Sequence, residues 1–332
     1  MDPVTHLLAG LTLARAGANR LTPSATAIIA IGAVLPDIDF PFRYGATPTF
    51  LQFQQGWTHS LPGIASLGAL LALPFWLRAR RRCPQPRLYG KLLLAGWLGL
   101  LGHLLLDWTT ATGVHFFWPF NPTWYALDWF SLVDPWVLAV LLLGLTVPTL
   151  FRLISEEIGA RATARGERHG AWAAIVLFLL LCALRAPLHA QALTALDAQT
   201  YRGRTPVRVG AFPTPVNPFL WRGVAETPET YELLEVSLAG PRRGTTIRFT
   251  HYKPSPSPVL EAVERTAVGR TFLEFVRFPL AQVEPRPNGH RVVLRDLRFA
   301  RATLPRRTLI AWIELDENFE VTDAGFGFRE EN

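Results

Sequence analysis

Apolar residues come in six long runs, at 4–18, 24–40, 60–77, 92–108, 133–151 and 171–188. A helix needs about 20 apolar residues to cross the hydrocarbon of a bilayer. The last four runs approach that length. The first two are shorter and rich in Ala and Gly, which predicts a hairpin that crosses only part-way and packs through small residues. Past residue 189 the pattern changes: prolines become frequent, as in FPTPVNPF, and short alternating runs appear. YELLEVSL (231–238), TTIRFTHY (245–252), HRVVLRDLRF (290–299) and TLIAWIEL (308–315) predict strands. SPVLEAVERT (257–266) predicts a helix begun by a serine cap and a proline. The fold expected is an all-α polytopic membrane domain of about six helices over 1–188, followed by a small α+β domain over 189–332.

Composition agrees with a membrane protein carrying a soluble appendage. Of 332 residues, 49% are hydrophobic and only 18% charged, with 11 Trp and 21 Phe. The formal net charge is +7. The basic residues cluster between apolar runs, which points to anchoring in a bilayer and away from nucleic acid as a partner. Cys83 lies in a basic loop and Cys182 in an apolar run, so neither a disulfide framework nor a cysteine metal site is expected. The start, MDPVTHLLAGL, lacks a basic region and a small-residue cleavage site, and is not read as a removed signal peptide.

The arginines also set an orientation. Arg78, Arg80, Arg81, Arg82, Arg87 and Lys91 follow the third run; Arg152, Arg161, Arg165 and Arg168 follow the fifth; Arg20 lies between the first two, with Arg15 just before that turn. Residues 109–132 hold no Lys or Arg, and 41–59 only Arg43. The positive-inside rule places the basic loops in the cytoplasm. The N-terminus, the 41–59 and 109–132 loops and the region after about 189 are then outside. The outer loop is aromatic (Phe116, Phe117, Trp118, Trp124, Tyr125, Trp129, Phe130), as befits a membrane–water interface.

Ionisable residues within the apolar half now stand out. His103 and Asp107, in GHLLLDW, are four apart and share one helix face. His6 starts the first run, Asp37 and Asp39 (LPDIDF) end the second, and His59 (GWTHS) opens the third. Pro36 disfavours helix at Leu35, so an irregular turn is expected to aim the aspartates inward. All six reach the outer boundary in a topology derived without them. Singly, each has a bland reading: an interfacial histidine, a solvated turn, a buried hydrogen bond. Together they have the composition of a centre for one or two divalent ions, zinc first, manganese or iron next. Asp39 and Asp107 are the candidate bridges between two ions. Such a centre activates water as hydroxide and clamps both oxygens of a displacement. Asp37, His103 and Asp107 are the expected catalytic residues.

The neighbours carry less weight. Asp2 and Thr5 fit a second layer or a helix start, and Thr58, Ser60 and Thr109 fit ligand orientation or helix caps. His115 is a weaker substrate contact. Asp134 fits a cap of the fifth run, and Arg185 is expected to snorkel to the interface. His189, His251 and His290 lack any spacing signal.

In that order, DxxTH, LPDID, THS and GHLLLDW resemble the YdjM family of bacterial membrane-bound metal-dependent hydrolases, over about residues 1–150; PVNPFLW resembles its longer members. The family is in turn similar to zinc-dependent phospholipase C and related single-strand nucleases. The resemblance implies metal binding by His6, Asp39, His59, His103 and Asp107, with Asp37 a ligand or beside one. It also implies a bacterial inner-membrane location. The phospholipase group uses a processed N-terminal amino group and extra His/Glu ligands for a third metal, and no counterpart is evident in this sequence. The function expected is hydrolysis of a lipid or amphiphilic phosphoester at the outer leaflet. The alternatives are a cation-binding transporter, whose site should lie near the midplane, and a non-enzymatic envelope scaffold with a closed structural metal.

Overall fold

The computed structural model describes residues 1–38, 56–80, 87–121, 123–158, 165–241, 243–299 and 307–330. Asp39 and Cys83 lie outside them. The chain divides into two compact units, one running to Pro187 with the addition of Thr214–Pro218 and holding most of the helices, the other holding two sheets.

The helical unit begins with α1 (Pro3–Ala16), whose start is fixed chemically. Asp2 accepts hydrogen bonds from the amides of Val4 and Thr5, and Pro3 occupies the first turn. Gly17, at φ 145°, ends it. Then come α2 (Ala25–Val34), α3 (Leu61–Arg80), α4 (Leu88–Trp108), α5 (Pro135–Glu157) and α6 (Arg165–Asp197). Asp134 caps α5 by accepting from the amides of Trp136 and Val137.

Among the described residues, four helices are long and apolar enough to cross a membrane: α3 to α6. The expectation of six is corrected. α1 has 14 residues and α2 has 10. At about 1.5 Å per residue they are roughly 21 and 15 Å long, short of a hydrocarbon core of roughly 30 Å. Gly17 ends the first arm of the hairpin, and Pro36 lies just past the second.

Small residues hold this hairpin against α4. A Cβ at Gly99 would lie 2.3 Å from the Ile29 carbonyl oxygen, and one at Gly32 would lie 2.9 Å from that of Gly96. Only hydrogen fits, so the two backbones meet directly. That seam runs toward His103, one turn beyond Gly99.

The second unit is α+β. β1 (Arg208–Pro213), β2 (Leu220–Glu226), β3 (Thr230–Ser237) and β4 (Gly244–Tyr252) form one antiparallel meander. β5 (Pro279–Arg286), β6 (Gly289–Asp296), β7 (Arg307–Leu315) and β8 (Val321–Glu330) form another. Between them lie α7 (Pro258–Arg265), capped by Ser257, and α8 (Ala267–Phe275). The four expected strands correspond to β3, β4, β6 and β7. The last turns of α6, through Leu188, Ala192 and Leu196, join Trp221 and Tyr201 in the core beneath the first sheet.

Candidate metal centre

Four elements of the helical unit bring their ends to one point. His6 projects from the first turns of α1, oriented by the Asp2 cap. Asp37 follows α2. Leu35 keeps helical angles (φ −57°, ψ −38°) despite the following proline, and the chain continues as a 3₁₀ turn to Ile38. Tightening from α to 3₁₀ supplies the irregularity expected there. His59 closes the 3₁₀ turn Trp57–His59 that leads into α3. Ser60 pins that turn, donating to the Trp57 carbonyl at 2.9 Å and accepting from the Gly63 amide at 3.1 Å. His103 and Asp107 lie one turn apart near the end of α4, with Nε2 and Oδ2 3.3 Å apart.

Donor atoms of Asp37, His59, His103 and Asp107 all fall within 4.8 Å of one another. His103 Nε2 is 3.1 Å from His59 Nε2, and His59 Nε2 is 3.4 Å from Asp107 Oδ2. Asp37 Oδ1 is 3.8 Å from His59 Nε2 and 3.9 Å from His103 Nε2. Tetrahedral ligands on zinc, about 2.0–2.1 Å from the ion, are separated by about 3.3–3.4 Å. The four donors approximate such a set. His6 joins from the other side, with Nε2 3.1 Å from Asp107 Oδ1 and its ring stacked on His103 at 3.7 Å.

The proton arrangement calls for a cation. His103 Nδ1 is 2.8 Å from the Ala33 carbonyl, an atom that can only accept, so Nδ1 carries the hydrogen and Nε2 presents a lone pair in the neutral ring. His59 Nδ1 is 2.9 Å from Thr58 Oγ1. A donation there leaves a second lone pair at His59 Nε2, facing that of His103. Two lone pairs at 3.1 Å repel unless a positive charge lies between them. The two carboxylates beside them strengthen the demand. His6 Nδ1 and Asp37 Oδ2 are buried without a hydrogen-bond partner. Burying a carboxylate oxygen such as Asp37 Oδ2 unsatisfied is costly, and a metal bound to it offsets the cost. The residues present therefore fit a divalent ion.

Burial gives the centre a direction. The side chains of His6, His59, His103 and Asp107 are at most 3% exposed, against 14% for Asp37. Asp37 marks the open side. The opposite end of α1 lies among basic residues: Arg15 donates to the Leu145 carbonyl and Arg168 to that of Ala16. Nine residues of helix, about 13 Å, separate His6 from that end.

Other sequence candidates fall elsewhere. Thr5 donates to Asp2, and Thr109 caps α4 by donating to the Leu106 carbonyl at 2.6 Å. His115 packs on Trp124 at 3.7 Å, and burial pushes its imidazole down to about 4. Asp134 caps α5 and faces Arg185 at 3.5 Å. Arg185 is not snorkelling: its side chain is 1% exposed. His189 donates to the Ala211 carbonyl. Two participants carry no sequence signal. One is the Ala33 carbonyl that orients His103. The other is the amino group of Met1, which donates to Asp107 Oδ1.

A family model described as YdjM inner membrane protein matches residues 1–191. No curated protein and no solved structure matches the chain.

Proposed function

Because the chain belongs to the YdjM family of inner membrane proteins, we propose that it is a membrane-bound metal-dependent hydrolase, a phosphoesterase that cleaves a lipid or amphiphilic phosphoester at the outer leaflet. The observation that carries this reading is the approach of His59 Nε2 and His103 Nε2 to 3.1 Å, flanked by two carboxylates. His59, His103, Asp37 and Asp107 would hold the ion, zinc first among the candidates. A divalent ion there acidifies bound water and offsets charge that develops on phosphoryl oxygens.

The chain's own residues do the remainder. Ala33 holds the His103 imidazole in the ligating tautomer, and Thr58 lies within hydrogen-bond distance of His59 Nδ1. Asp107 fixes the buried wall. Asp37, on the open side, faces the incoming water and substrate. Large apolar side chains flank the ligands in sequence and are exposed: Val4 (60%), Ile38 (62%) and Trp57 (42%). Exposed apolar side chains next to the ligands in sequence suit a substrate with acyl chains. The basic loops, by the charge rule, support a position outside the cytoplasm for this end and for the sheet unit.

Purified full-length protein should contain zinc, manganese or iron in stoichiometric amount and hydrolyse a phospholipid or a chromogenic phosphodiester. His103→Ala and Asp107→Ala should lose that turnover and bind metal more than roughly 100-fold more weakly, beyond the loss typical of an outer-layer change. Metal-free wild type, or unchanged turnover in these variants, would sink the reading.

A further inference from the structure

We infer that the centre takes two divalent ions, bridged by Asp37 and Asp107, with His6 the histidine of the second. The inference rests on the metal-centre reading above and adds a second binding position.

The carboxylate oxygens are divided between two histidine sets. Asp107 turns Oδ2 toward His59 (3.4 Å) and His103 (3.3 Å). Its other oxygen, Oδ1, turns toward His6 Nε2 (3.1 Å). Asp37 repeats the division. Its Oδ1 faces His59 (3.8 Å) and His103 (3.9 Å), and its Oδ2 faces His6 (4.0 Å). One ion therefore has His59, His103 and one oxygen from each aspartate. A second has His6 and the other oxygen from each.

Three observations mark the second position as built for a cation. Asp37 Oδ2 is buried and has no hydrogen-bond partner. The His6 side chain is fully buried, with Nε2 aimed between the carboxylates. The Met1 amino group donates to Asp107 Oδ1, so a cationic donor already approaches that oxygen. The stacked His6 and His103 rings, 21° from parallel, project toward neighbouring points. Carboxylate-bridged ions of this kind lie about 3.5–4 Å apart. Imidazole and carboxylate donors select borderline divalents such as zinc, manganese and iron.

The test uses full-length protein in detergent, stripped with chelator and loaded with Mn²⁺ alone. Metal content is measured after desalting, and electron paramagnetic resonance reads whether the ions are coupled. Two Mn²⁺ per chain with an exchange-coupled spectrum is the expected result. His6→Ala, and His6→Gln in case the first variant is misfolded, should hold one Mn²⁺ with an uncoupled spectrum. One ion in wild type overturns the inference, places the Met1 ammonium at the second position, and leaves the hydrolase reading standing. Two uncoupled ions, or a coupled pair surviving loss of His6, also overturn it. No bound metal at all defeats both.

Discussion

Two groups of buried ionisable side chains among the described residues of the helical unit are built on opposite plans. Asp134 and Arg185 face each other at 3.5 Å, acid against base. Asp134 also accepts the first amides of α5, so its charge serves the helix start. The second group sets two carboxylates among three imidazoles, with no arginine or lysine among the donors that meet there and one ammonium, that of Met1, on Asp107. A buried ion pair supplies its own countercharge. A cluster whose carboxylates outnumber its one ammonium draws further positive charge from outside. The distinction separates a structural charge from a ligand site when both are equally buried and equally unexpected in an apolar run.

Removing one side of each group tests it. Asp134→Ala leaves Arg185 without its acid in an apolar setting and should destabilise the protein by about 3–5 kcal/mol. Metal content per folded chain should stay at the wild-type level. A thermal melt and a metal assay on the same sample check both parts, and loss of metal with retained stability would erase the contrast. A smaller effect is expected at the seam between the hairpin and α4. Gly99→Ala places a methyl 2.3 Å from the Ile29 carbonyl oxygen, so the helices must part, at a cost of about 1–3 kcal/mol. The same movement draws His103 from Ala33, so metal affinity should fall as well. If stability falls and affinity does not, the seam does not position the ligand.

The mildest expectation concerns a pair at the surface of the sheet unit. Burial raises the Glu226 carboxyl, but hydrogen bonds from Lys253 and Arg208 outweigh it and hold the group below its ordinary value of 4.5. A carboxyl depressed in the folded state adds stability above the unfolded value, and that contribution disappears as pH falls through the folded value. Glu226→Gln should therefore lower the melting temperature slightly at pH 7, and the difference from wild type should vanish in acid below the ordinary carboxyl range. A difference that persists there would mean the glutamine disturbs packing.

Much of this arrangement was legible in the residues. GHLLLDW reads as a same-face pair because helix periodicity is short-range, and His6 and His59 were placed by topology. The caps at Asp2, Asp134 and Ser257 follow from local chemistry. Asp39, by contrast, falls outside the described residues, and within them Asp37 takes the role of facing both histidine sets. The helix count came out high because apolar composition does not reveal that α1 stops at Gly17 and that α2 gives way to a 3₁₀ turn after Val34. Arg185 defeated the interfacial expectation because its partner, Asp134, lies 51 residues away in sequence. β1, β2, β5 and β8 escaped notice because Gly and Pro interrupt RVGAFP, LWRGVAE, PLAQVEPR and VTDAGFGFRE. A backbone carbonyl such as that of Ala33 has no letter in the sequence at all.

That carbonyl belongs to the last turn of α2, where an α-helix runs out of amides to satisfy its oxygens. It is answered by the ring of His103, the same ring that presents Nε2 to the centre. Helix termination and ligand orientation are thus one hydrogen bond. An ion that draws on Nε2 makes Nδ1–H a stronger donor, tightening the end of α2 and with it the turn that carries Asp37. Loading would rivet the short hairpin to the long helix beside it, so that the segments too short to be held by the bilayer are held by the ion.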